Sequence, residues 1–232
     1  MRSLYTKETK ETKNFVVRPV SGQWSVVDSS LTTDNWPLTN WPPAMNLPRL
    51  ILASASPRRA ELLREMGLRF RVVPSDAAET RNEQLTAREL CQLHAYRKAR
   101  AVAKQIPDAL VLGADTLVYA GTQLFGKPTS LAQAEQMLEQ LQGHTHQVVT
   151  GVCLIHLRRF RQKILAETTQ VTFRPLNAKQ IRYYLSAVDP LDKAGAYAIQ
   201  EKGDLIVQEV AGSYSNVVGL PMERLKAELA AW

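Results

Sequence analysis

The chain has 232 residues, of which 45% are hydrophobic and 22% charged, with 11 Gly and 12 Pro. This is an ordinary globular composition, which excludes collagen-like and wholly disordered chains. The 29 Lys and Arg against 22 Asp and Glu give a net charge of +7 and an isoelectric point near 9.5, which favours an anionic partner: nucleic acid, nucleotide, phosphate or an acidic surface.

No apolar run approaches the ~18 residues that a membrane helix needs. Cys91 and Cys153 lie 62 positions apart, so there is neither a disulfide framework nor a CxxC zinc site. A reducing, cytoplasmic setting is expected.

Residues 1–46 read as an irregular or disordered extension. They hold Trp24, Trp36 and Trp41, and the stretch NWPLTNWPPAMNLP shows no helical or strand period. Glu8, Glu11, Asp28 and Asp34, with no apolar h-region, argue against a signal or transit peptide. Two readings stand: an upstream start in place of Met45, or a docking tail anchored by its tryptophans. From Met45 onward 24 basic residues face 18 acidic ones, so the positive charge belongs to that part.

From Leu47 strands and helices alternate. Leu50 to Ala53 is a short buried strand. Ser56 and Pro57 then start a helix as N-cap and first residue, closing at Gly67. Phe70 to Val73 is a second strand. Thr86-Ala-Arg-Glu89 is a capping box opening a helix to about Ile106. Ala109 to Gly113 is a buried strand running into Ala114-Asp115-Thr116. Val118 to Phe125 reads as a hairpin around Gly121. A helix from about Ser130 puts Leu131, Ala134, Leu138 and Leu141 on one face. Gln147 to Ile155 and Ile164 to Phe173 alternate like paired strands. Asn177 caps a helix carrying Ile181, Tyr184, Leu185 and Val188. Leu205 to Val210 reads as a strand, and Pro221 starts the last helix. The pattern predicts an α/β fold with a mixed sheet over 47–232.

Several segments could carry chemistry. Arg58 and Arg59 fall in the first turn of the helix after Ser56. Cations there oppose the helix dipole, but beside free backbone N–H groups they complete a phosphate site. The bland alternative is two arginines in solvent. Asp115, just past a buried strand, sits where α/β sheets bind ligands, and could bind a metal or take a proton from water; such an Asp is otherwise a turn former. Gly121 to Lys127 fits GxxxxGK, but Pro128 replaces the magnesium-binding Ser/Thr, so a P-loop is not expected. Lys127 remains a candidate phosphate contact. Lys98 borders the apolar stripe Cys91, Ala95, Ala99, Val102 and Ile106, either snorkelling or reaching into an anion site. Glu79 lies in a polar loop. His144 and His146 read as surface or turn histidines rather than a zinc pair.

Taken in order, Ser54-Ala-Ser56-Pro57-Arg58-Arg59, Glu79, Lys98, Gly113-Ala-Asp115-Thr116, Gly126-Lys127-Pro128, His146-Gln-Val-Val-Thr150-Gly151 and Ser213-Tyr-Ser-Asn-Val-Val-Gly-Leu-Pro221 resemble the Maf family of nucleoside triphosphate pyrophosphatases. The resemblance runs from about Leu47 to the C-terminus. Asp192-Lys-Ala-Gly-Ala-Tyr-Ala-Ile-Gln200 is similar to the branch acting on dTTP and UTP, departing from it at Ala198 and Glu201.

The resemblance implies a two-lobed, inosine triphosphate pyrophosphatase-like α/β fold with the nucleotide in the cleft. It implies hydrolysis of dTTP and UTP, or modified pyrimidine nucleotides, to the monophosphate and pyrophosphate, a house-cleaning role. Asp115 would be the proton acceptor. Arg58, Thr116 and Gln200 would set specificity. Ser56, Arg59, Lys98 and Lys127 would bind phosphate, and Glu79 with Asp115 would hold a divalent metal, Mg or Mn. Homodimers are compatible with it. Alternatives are a 7-methyl-GTP pyrophosphatase and a cell-division (septum formation) regulator. A nucleic-acid partner is not expected, since no aromatic-studded basic stripe is found.

Overall fold

The computed structural model describes residues 15–20, 23–28, 48–80 and 84–232, which divide into two units, Met1–Met45 and Asn46–Trp232. In the first unit, β1 (Phe15–Val20) and β2 (Gln23–Asp28) form an antiparallel hairpin with Phe15 opposite Asp28. Hydrophobic residues in Phe-Val-Val-Arg-Pro-Val and Trp-Ser-Val-Val supply the strand propensity, where the sequence reading expects irregular chain. The tryptophan-rich stretch around Trp36 and Trp41, and Met45, lie outside the described residues.

The second unit is a seven-stranded mixed sheet with helices. Its strands are β3 (Leu50–Leu52), β4 (Phe70–Val72), β5 (Leu110–Ala120), β6 (Gln123–Phe125), β7 (Thr145–His156), β8 (Arg161–Phe173) and β9 (Val207–Ala211). The order is β4-β3-β5-β7-β8-β9, with β6 also paired to β5. β3 runs parallel to β4 and β5, and the other pairs are antiparallel. α1 (Pro57–Glu65) connects β3 to β4, and α2 (Ala87–Gln105) connects β4 to β5. These crossovers step in opposite directions, so right-handedness puts α1 and α2 on opposite faces.

β5 changes neighbours at the point that matters. β3 pairs with it only as far as Leu52 opposite Leu112, and β6 begins only at Val118 opposite Phe125. Between those points, residues 113–117 of β5 pair with β7 alone. That gap divides the sheet into two lobes. Ile51, Ala95, Ala99, Val102, Val111 and Ile155 fill one core. Val118, Phe125, Leu138, Val148, Phe173 and Tyr184 fill the other. β5 and β7 run through both.

Of the remaining helices, the first three pack in the second lobe, the fourth borders the cleft, and the last lies along β8, where Arg224 bonds Ala166 O and Glu228 pairs with Lys163. They are α3 (Leu131–Leu141), α4 (Ala178–Ala187), the short α5 (Gly203–Ile206), α6 (Tyr214–Val218) and α7 (Met222–Ala230). The predicted caps at Thr86 and Asn177 form, each with its reciprocal side chain, Glu89 and Gln180. Three expectations change. Asp115 and Thr116 lie inside β5, which runs on to Ala120, and not just past its end. Ser56 occupies the N-cap position of α1 but its side chain makes no cap bond. The expected strand from Leu205 instead starts with α5, because Lys202 turns left-handed at φ 56 and the chain coils before β9 pairs with β8 at Val207.

Candidate active site

Two glycines set the height of α2 above the sheet. A Cβ at Gly113 would lie 2.4 Å from the Ala95 carbonyl oxygen, and one at Gly151 2.4 Å from the Cys91 carbonyl. No side chain fits there, so the helix backbone rests directly on β5 and β7. Asp115 pairs opposite Gly151 and shares the α2 face with Gly113. The low seat of α2 therefore brings two of its side chains onto Asp115. Lys98 Nζ donates to Asp115 Oδ1 at 2.6 Å, and His94 Nδ1 lies 2.9 Å from Oδ2. Lys98 also meets Glu79 Oε1 at 2.5 Å.

His94 is buried, and its Nε2 faces the Thr80 carbonyl oxygen at 2.9 Å. Both ring nitrogens thus face oxygen acceptors, an arrangement satisfied by the imidazolium. The Asp115 hydrogen bond raises the His94 pKa, against burial. Burial pushes the Asp115 carboxyl up, but His94, Lys98 and Arg59 together outweigh it and hold it below the usual value. Asp115 is a clamped carboxylate at rest.

The opposite face of β5 carries Thr116. Its Oγ1 accepts from Arg59 Nη2 at 2.9 Å and lies 2.9 Å from Thr150 Oγ1, the residue paired across the strands. Thr150 donates to the Asn216 carbonyl at 3.0 Å, so Thr116 is the donor to Thr150. Asn216 itself is fully buried and donates to Val148 O and Thr169 Oγ1. Arg59 also donates to Gly219 O at 2.9 Å and Ser54 Oγ at 3.1 Å. Its partners are neutral oxygens, which leaves a positive charge for a ligand. Burial lowers its pKa, with Asp115 pulling the other way.

All nine site residues named from the sequence line one cleft of about 480 Å³. Ser56, Arg58 and Arg59 lie at the start of α1. Asp115 and Thr116 are on the floor, with Glu79 and Lys98 on one side. Exposed Lys127 and Gln200 stand at the rim. Arg58 is tied to Asp192 at 3.0 Å, which also pairs with buried Lys193. The GxxxxGK segment is the turn at Gly121 that follows β5, then β6 and the two residues after it, and not a strand–loop–helix P-loop.

Sequence reasoning missed His94, whose signal was its position one turn before Lys98. It also misplaced His146. That ring is buried, 2.8 Å from Tyr197 Oη and edge-on to Phe173, because its alternate position on β7 faces the second core. Among the described residues no group of three His, Cys, Asp or Glu could hold a metal, and no helix is long and apolar enough to cross a membrane.

The sheet, split over a cleft of cations and clamped carboxylates, defines a mixed α/β protein shaped for a polyanion. The family described as Maf-like protein matches residues 49–232, and the chain belongs to it. A dTTP/UTP pyrophosphatase of Moorella thermoacetica is 47% identical over 182 residues, 78% of this chain and 94% of that protein. Proteins of the same name from Symbiobacterium thermophilum and Bacillus cereus are 46% and 44% identical, covering 76% and 79% of this chain and 90% of each relative. The Staphylococcus aureus Ham1 protein structure gives a TM-score of 0.47 at 18% identity, over 79% of this chain and 98% of that one.

Proposed function

We propose that the chain hydrolyses dTTP and UTP between the α- and β-phosphates, giving the nucleoside monophosphate and pyrophosphate. The observation that carries this reading is the convergence of Arg59, Lys98 and Lys127 with Asp115 on one cleft. A triphosphate needs several cations, and its hydrolysis needs a group to take a proton from water. The names of the relatives point to the same reaction.

In this reading water attacks the α-phosphorus. Its oxygen bonds to phosphorus, its proton passes to Asp115, and the bridging oxygen leaves with pyrophosphate. Asp115 is a weak base while Lys98 and His94 hold it. When Lys98 turns toward the phosphates, the carboxylate loses a cationic partner and its proton affinity rises. Arg59 and Lys127 neutralise charge on the leaving group. Gln200 offers both a donor and an acceptor, matching the amide-like edge of a uracil or thymine ring, with Arg58 and Thr116 setting where that ring lies.

The residues also fit a divalent cation. Glu79 and Asp115 converge on a single point, now Lys98 Nζ. Two carboxylates plus phosphate oxygens and water form a donor set that Mg or Mn accepts. When bound, such an ion would neutralise phosphate charge. The free, buried thiols of Cys91 and Cys153 suit a cytoplasmic setting.

The test is pyrophosphate release with magnesium and a panel of nucleoside triphosphates, beside Asp115→Asn. Release from dTTP and UTP, lost in the variant, is expected. Release from 7-methyl-GTP alone would overturn the base assignment, and silence with every nucleotide would overturn the reaction.

A further inference from the structure

Among the fully buried residues of α2, all but one are apolar. Leu90, Cys91, Ala95, Ala99, Val102 and Ala103 are the apolar ones, and His94 is buried among them. Burying an imidazole is costly unless its nitrogens are satisfied. Here both are, one by Asp115 and one by the backbone of the loop that carries Glu79.

His94 and Lys98 stand one helical turn apart on one face. They take different oxygens of the same carboxylate: Lys98 holds Oδ1 and His94 holds Oδ2. With Lys98 alone, the carboxylate could pivot about the held oxygen. With both, rotation about its last side-chain torsion breaks one contact. Lys98 is also a residue that the triphosphate would draw away, whereas His94 is enclosed and stays.

We propose that His94 is the positioning residue for Asp115, fixing the carboxylate plane through Nδ1 while Lys98 serves the substrate. This rests on the pyrophosphatase reading above. His94 touches no substrate. It acts through Asp115, and its contact with the Thr80 carbonyl sets the ring so that Nδ1 points at Oδ2.

Three variants of the full chain separate the two contacts. His94→Leu removes both. His94→Asn places an amide near the Nδ1 position and keeps the contact to Asp115. His94→Gln reaches the Nε2 position and keeps only the contact to Thr80. The measurement is kcat and KM for pyrophosphate release from dTTP, with thermal melting to follow folding. Misplacing a supporting group of this kind costs ~10–100-fold. The expected result is a kcat loss of that size in His94→Leu with KM unchanged, recovery in His94→Asn, and none in His94→Gln. An unchanged kcat in His94→Leu overturns the inference. So does equal loss in the Leu and Asn variants, or recovery in Gln alone. An inactive parent chain would overturn the pyrophosphatase reading and this inference together, whereas an active parent with an equally active His94→Leu overturns this inference only.

Discussion

Gly113 on β5 lies directly beneath the Ala95 carbonyl of α2, with no room for a Cβ between them. That contact, repeated by Gly151 beneath Cys91, determines whether Lys98 and His94 can reach Asp115. Gly113→Ala must lift or tilt the helix, because the obstructing atoms are backbone. Overpacking of this kind costs about 1–3 kcal/mol. Urea unfolding should report that loss, and pyrophosphate release should fall with it. A variant with parental stability and activity would show that α2 can rise without breaking the clamp on Asp115.

Arg59→Lys keeps the charge and loses the fork. The guanidinium reaches Gly219 O, Ser54 Oγ and Thr116 Oγ1 together, which one ammonium cannot do. Charged hydrogen bonds are each worth roughly 1.5–3 kcal/mol, so kcat/KM should drop by about 10- to 100-fold. Steady-state kinetics with dTTP checks this. Parental kinetics would mean that charge alone suffices at this position.

Burial lowers the His146 pKa from 6.5 to about 4. The folded ring therefore stays neutral at a pH where the unfolded chain already takes up a proton. Its contribution to stability is present above pH 6.5 and is lost as the pH falls toward 4, by roughly 1.4 kcal/mol per unit. Urea midpoints between pH 7.5 and 4.5 should fall less steeply in His146→Leu than in the parent chain. Parallel curves would mean that the ring titrates normally.

The family match begins at residue 49, and the two units divide after Met45. A chain starting at Met45 is therefore expected to keep the parental kcat/KM for pyrophosphate release. A large loss would tie the first unit to the cleft.

Much of this was legible in the sequence because the signals are local. The Thr86–Glu89 and Asn177–Gln180 boxes carry their partners three residues apart, and the turn at Gly121 announces its hairpin. What was not legible depends on contacts between distant segments. His94 looks like a flaw in an apolar stripe until Asp115 is set below it. Ser56 has the residue type of a cap, yet its hydroxyl is left out of the helix. At Leu205 the residues suit a strand, but pairing with β8 begins only at Val207, opposite Phe173. The placement of Arg58, Thr116, Lys127 and Gln200 around one cleft came from motif order. Their spacing along the chain alone carries no such information.

The split in the sheet has a mechanical consequence. The two lobes are joined by unbroken strands, β5 and β7, and α2 lies across both like a splint. Hinged enzymes close by rotating a few loop residues. Here, narrowing the cleft would mean bending two hydrogen-bonded strands and the helix braced against them. The floor is continuous from lobe to lobe, so any narrowing around a nucleotide falls to the rim, where Lys127 and Gln200 stand outside those strands.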